Sequence, residues 1–225
     1  MERHFDMDLE TLKQKLLTMA SHAEAAVNRA VEALVTRNHD LALQVNRDDE
    51  VIDRFEIEID DLAIQLLSKA PLASDLRLVT VAMKISQNLE RVGDEATKIA
   101  KRARDLSGEP PLKLNLELPR MATLALVLLK QALDSFVNRD SAAARALIPR
   151  DKEVDALNKQ INRELADHMM ADRESIPRCL HLMTASRSLE RIADHAKNVA
   201  EEVVYLCDAQ DIRHTAKTQA PTPPA

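Results

Sequence analysis

Glu90 and Asp94 stand four residues apart, as do Glu190 and Asp194, Asp49 and Asp53, and Asp151 and Asp155. On a helix, residues i and i+4 share a face, so each pair sets two carboxylates side by side. Like charges at this spacing cost about 0.2–0.5 kcal/mol per pair, too little for one pair to mean much. Four pairs at duplicated positions mean more. Gathered carboxylates need protons or cations, and hard oxygen donors suit Mg²⁺, Mn²⁺, Ca²⁺ or iron better than zinc, which favours His or Cys. His195, directly after Asp194, offers a nitrogen to the second group, where the first has Glu95. A lone histidine is more often packed or surface-bound than ligating, so that offer is the weaker one. The bland alternative for the acids is a solvated face. Lys98 lies one turn beyond Asp94 and Lys159 one turn beyond Asp155, which predicts ordinary ion pairs. Against it, Asn198 follows Asp194 at that distance and Ile57 follows Asp53, so the acids persist where their partners do not.

The pairs recur because the chain repeats itself. Met83 to Ala100 reads MKISQNLERVGDEATKIA, and Met183 to Ala200 reads MTASRSLERIADHAKNVA. At an offset of 100, Met83, Ser86, Leu89, Glu90, Arg91, Asp94, Ala96 and Ala100 are identical to their counterparts. Upstream the offset is 102: Asp49 and Asp53 fall on Asp151 and Asp155, and Arg37 falls on Arg139. A repeat of this length states an architecture.

Six helices must position these acids. Apolar residues recurring at three and four predict a first helix from about Leu9 to Arg37 and a second from about Leu41 to Ser68, with Asp40 as its cap. Ala70-Pro71 ends the second. A third runs from about Leu72 to Leu106 and stops at Ser107-Gly108-Glu109-Pro110-Pro111. A fourth begins near Pro119, a fifth covers about Ser141 to Met170 with a disturbance at Pro149, and a sixth covers about Ile176 to Asp208. In an antiparallel hairpin turning at Pro71, positions 49 and 94 come level, so the four carboxylates of each half converge. The fold class is all-α: two tandem antiparallel three-helix bundles of six long helices, those of about 30 residues being on the order of 45 Å long. The expected domains are 1–107, a linker at 108–118, 119–210, and a disordered tail at 211–225.

Composition agrees. Among 225 residues there are two glycines, Gly93 and Gly108, and four aromatics, which is poor material for strands and hairpins. No run of 18 uncharged apolar residues occurs, and Met-Glu-Arg-His-Phe is not an apolar leader, so a cytoplasmic protein is expected. Cys179 and Cys207 lack metal or redox spacing and read as core filler. A net charge of −6 argues against broad nucleic-acid binding. The Glu-x-x-His pairs of a ferritin-like di-iron centre are absent, as are a nucleophile–base constellation and a phosphate-binding glycine loop. The run Lys98, Lys101, Arg102, Arg104 reads as a complement to a helix C-terminus.

At Ala73-Ser74-Asp75-Leu76-Arg77, at Leu89-Glu90-Arg91-Val92-Gly93-Asp94-Glu95-Ala96 and at Leu189-Glu190-Arg191-Ile192-Ala193-Asp194-His195-Ala196, the chain resembles the PhoU family. The likeness covers about residues 5 to 208, and the tandem three-helix bundle is similar to that family's fold. The resemblance implies a cytoplasmic regulator, peripheral to the inner membrane through its partners. Those partners are the phosphate ABC transporter and the sensor histidine kinase of the phosphate regulon. Such proteins hold the phosphate-starvation response off and restrain uptake, commonly as homodimers, and are not enzymes. The resemblance also implies iron or zinc clusters in some members, and few metals or none in others. The acids matching those motifs are Asp49, Asp53, Glu90 and Asp94, with Asp151, Asp155, Glu190 and Asp194. Manganese would suit the same oxygens. Arg77, Arg91 and Arg191 are the candidate partner contacts, and Pro177 stands where the first half has Arg77. Two other classes remain open at this point: a metal-binding bundle with a storage or hydrolytic role, and a passive helical scaffold.

Overall fold

The computed structural model of the chain describes residues 2–69 and 72–213. The expected turn at Pro71 and the tail beyond residue 213 lie outside them. Every element within them is helical: α1 (Glu2–Thr36), α2 (His39–Leu67), α3 (Ala73–Ser107), α4 (Leu118–Asn138), α5 (Ser141–Leu147), α6 (Asp151–Ala171) and α7 (Ile176–Asp208). α5 and α6 are the two pieces of the fifth expected helix. A single 3₁₀ turn, Ile148–Arg150, joins them at Pro149, where the ring removes an amide donor. α1 begins a turn and more before Leu9 because Phe5 is buried and anchors the extra length. The cap of α2 is Asn38, whose Oδ1 accepts from the Leu41 amide at 3.0 Å. Asp40, expected there, instead sits in the first turn, where a carboxylate suits the helix dipole.

The duplication is visible in the joints. Arg37 and Arg139 both adopt left-handed backbone, at φ 55° and 52°. In each case the next amide reaches back five residues, Asn38 N to Ala33 O at 3.0 Å and Asp140 N to Ser135 O at 2.9 Å. This is the Schellman closure, usually built on glycine. At Arg37 the residue type has a use: its guanidinium donates to the carbonyls of Leu106 and Glu109, satisfying the C-terminal end of α3. A second echo lies in the core, where Ser86 Oγ lies 3.4 Å from Met19 Sδ and Ser186 Oγ 3.6 Å from Met121 Sδ.

α1, α2 and α3 pack together, α4 to α7 pack together, and α3 lies against α7 as extensively as α1 lies against α2. Along this seam Lys84 meets Glu202, Asn88 meets His195, Glu95 meets Arg191 and Arg102 meets His181. Numbers rise on one helix as they fall on the other, so α3 and α7 run antiparallel. α4 is long and apolar enough by composition to cross a membrane. It is nevertheless a core helix: 56% of that stretch is buried, including Met121, Ala125, Leu129 and Ala132. Leu112, Leu114 and Leu116 of the connection before it pack on the core.

Candidate functional site

Two acidic clefts result, one between α2 and α3 and one between α6 and α7. In the first, Gly93 lets α2 come close. A Cβ there would lie 3.0 Å from Ile52 Cδ1 and 3.1 Å from Asp49 Oδ1. Asp49 is thereby brought against Asp94 and Asp53. Burial first, then these neighbours and Glu50, push its carboxyl up to about 6. Glu90 is also raised, by burial, by Asp94, and by Glu56 and Asp53 against the pull of Arg91. Glu56 joins the group, raised by burial and by Asp60, Asp53 and Asp94. Its membership was hidden in the sequence. It sits three residues beyond Asp53, and only the level of α2 against α3 brings it into the cleft.

Arg91 is the cation at the edge of this cleft. Its Nη1 donates to Asp94 Oδ2 at 3.1 Å, and its Nε lies 3.3 Å from Glu90 Oε2 without hydrogen-bonding alignment. Glu90 Oε2 is therefore buried without a hydrogen bond. The expected Asp94–Lys98 pair does not form, because Lys98 turns to Glu95 at 2.9 Å. Nor does Asp155 pair with Lys159, since α6 turns Lys159 outward as an exposed residue.

The second cleft has the same acids and a different balance. Asp151 is 7% exposed, and Lys197 Nζ donates to its Oδ2 at 2.7 Å. Leu128, Leu147, Ala193 and Ala196 line the gap beside the pair, which is too small for a water molecule. Asp194 is raised by burial and by Asp155 and Glu190, with Lys197 pulling the other way. Where the first cleft has Glu56, the second has Asn158, a neutral group that accepts from Ser186 Oγ at 2.6 Å. His195 does not serve this cleft. It faces the α3–α7 seam, with Nδ1 3.0 Å from Asn88 Oδ1, because consecutive helical residues point about 100° apart.

The seam is the second polar feature. Glu95, 4% exposed, accepts on Oε1 from Lys98 and, across the seam, from Arg191 at 3.2 Å. Burial pushes Glu95 up, but hydrogen bonds from Lys98, Ser188 and Arg191 outweigh it and hold its carboxyl low. Burial lowers His195, with Arg91, Lys98 and Arg191 adding to the effect and Glu95 opposing it. Glu202 accepts from Lys84 at 2.9 Å and from Arg213 at 3.1 Å, so residue 213, expected in the tail, folds back onto α7. Arg102 reaches Asp105 and His181 and is likewise a seam residue, beyond its expected role at a helix end. Of the three candidate contact arginines, Arg191 is engaged in the seam, Arg91 in the first cleft, and Arg77 stacks on Tyr205 with its guanidinium carbon 5.9 Å from the ring centroid.

A metal ion of the kind the resemblance implies needs several oxygens about one point. Among the described residues no three His, Cys, Asp or Glu side chains are so arranged. The first cleft nonetheless fits a cation in donor chemistry, with hard oxygens crowded together and one of them orphaned. The second does not, since its most buried oxygen is taken by Lys197.

Residues 16–103 and 118–203 match the PhoU domain family, one match to each half. The chain is similar to the phosphate-specific transport system accessory protein PhoU homolog of Pseudomonas aeruginosa, at 40% identity over 220 residues, 96% of this chain and 90% of that one. The Escherichia coli accessory protein PhoU is 33% identical over 211 residues, 93% of this chain and 88% of that one. The crystal structure of PhoU from Pseudomonas aeruginosa superposes with a TM-score of 0.87 at 39% identity, covering 92% of this chain and all of that one. The phosphate transport system regulatory protein PhoU from Streptococcus pneumoniae superposes at 0.85 with 28% identity, covering 92% of this chain and 99% of that one.

Proposed function

The chain belongs to the PhoU family, and on that footing we propose that it is a non-enzymatic accessory and regulatory protein of phosphate-specific transport. The observation that carries this reading is that the likeness runs through both halves, acid-bearing segments included, and over nearly the whole length of relatives that bear that description. The protein works in the cytoplasm and touches the inner membrane only through its partners. It acts as a two-copy adaptor between the phosphate ABC transporter and the sensor histidine kinase, holding the starvation response off and restraining uptake when phosphate is plentiful. Deleting the gene is expected to make a phosphate-starvation promoter reporter constitutive in high phosphate, with repression restored by the gene in trans. Normal repression in the deletion strain overturns the reading.

The orphaned Glu90 Oε2 and the crowding around Asp49 favour a second reading, compatible with the first: the first cleft takes up a cation. Asp49, Asp53, Glu90 and Asp94 would hold it, as iron, zinc or manganese. The ion would add to the single positive charge that Arg91 supplies at the edge of this cleft.

A further inference from the structure

We infer that the second acidic cleft carries its own resident cation, Lys197, and is thereby closed to a metal ion, so that the two halves of the duplication differ in what they can bind. The inference takes from the cation reading only the identity of the excluded ligand. Its own support is geometric. Lys197 Nζ sits 2.7 Å from Asp151 Oδ2, the length of a strong charge-assisted bond. Asp151 is almost wholly buried and the apolar gap beside the pair is too small for water, while the Lys197 side chain stays one-third exposed. An ion entering there would have to displace an ammonium that the chain tethers one turn beyond Asp194, and the displaced charge would stay nearby.

The first half lacks this device. Thr97 stands at the place of Lys197, and its hydroxyl is turned back to the Asp94 carbonyl at 2.8 Å. The positive group at the first cleft is Arg91, and Arg191 at the matching place in the second half is drawn away to Glu95. Each cleft therefore keeps one cation from its own chain, but they differ in kind. Arg91 lies at an exposed edge, where an ion can share the cleft with it. Lys197 lies at the most buried oxygen.

The experiment is Mn²⁺ binding to the full chain, with free Mn²⁺ followed by electron paramagnetic resonance and helix content checked by circular dichroism. Wild type, Lys197→Thr and Lys197→Arg are compared. Lys197→Thr, which copies the first half, is expected to hold about one more equivalent than wild type, and Lys197→Arg none more. Equal counts in Lys197→Thr and wild type overturn the inference, as does a gain in Lys197→Arg or a second equivalent already present in wild type. If Lys197→Thr loses its helices, Lys197→Gln, which keeps a donor toward Asp151, carries the same measurement. The wild-type count separately tests the first cleft: one equivalent supports the cation reading there and none refutes it. The difference between variant and wild type still decides the role of Lys197.

Discussion

Thr97 and Lys197 occupy the same place in two halves that otherwise share their helix ends, their Ser–Met core contacts and their acid pairs. Beside Thr97 the acids crowd one another, and Asp49 holds its proton to about pH 6. Beside Lys197 they are bridged. Two further exchanges run the same way. Glu56 adds to the first cleft a charge that Asn158 omits from the second. Gly93 lets α2 settle against α3, where Ala193 carries a methyl. The scaffold was copied and the charge balance was not. This teaches that an acid pair in a sequence fixes where carboxylates stand, while one residue a turn away decides whether they remain unneutralised.

The contrast can be broken at Lys197 first. Lys197→Met leaves Asp151 buried and unpaired, which is expected to cost about 2 kcal/mol, less than a fully buried pair because the lysine is one-third exposed. Adding Asp151→Asn should restore most of the loss. Urea denaturation of the single and double variants checks this, and a single variant as stable as wild type would show that the bridge does not hold the second half.

A smaller effect sharpens the first half. The Asp49 carboxyl, at about 6 folded against 3.8 in its ordinary state, binds its proton more tightly in the folded chain. Its burden on stability is therefore absent at low pH and grows as pH rises from about 4 to about 6, where both states become ionised. Asp49→Asn cannot ionise, so it should gain on wild type across that window, by on the order of 1 kcal/mol once solvent screening of this half-buried group is allowed for. Urea midpoints at about pH 4.5 and 7.5 measure the gain; a pH-independent difference would remove the crowding account.

The smallest test separates the two arginines. Arg191→Ala takes a partner from buried Glu95 and should cost about 1 kcal/mol, while Arg91→Ala removes a surface pair and should stay within about 0.5 kcal/mol. Thermal melts suffice, and equal losses would place the two arginines in equivalent roles after all.

Periodicity made the helices legible, and i,i+4 spacing made the acid pairs legible, because both are local properties of the chain. Even the level of Asp49 against Asp94 followed from an antiparallel hairpin. The rest depends on which neighbour wins a charged group, and that is decided between helices. Lys98 had Asp94 within reach but went to Glu95, where burial makes a partner worth more. His195 follows Asp194 in the chain, yet one residue of helical rotation turns it to the seam. Lys197 could be seen in the sequence, but its bond to Asp151 spans 46 residues and exists only because α6 meets α7 at that height. The Arg37 and Arg139 echo was visible too; that it marks two left-handed joints was not.

The polar seam bears on how the chain is made. Bonds inside the first half, such as Lys15 to Glu58, close within the first 107 residues, whereas seam bonds join residues roughly a hundred apart. During synthesis the first three helices can finish packing while α7 is still unmade. Throughout that interval α3 presents Lys84, Asn88, Glu95 and Arg102 to water, groups that a nascent bundle can expose without sticking to its neighbours. A greasy seam would have joined the halves as firmly and left the half-made protein prone to aggregate on the ribosome.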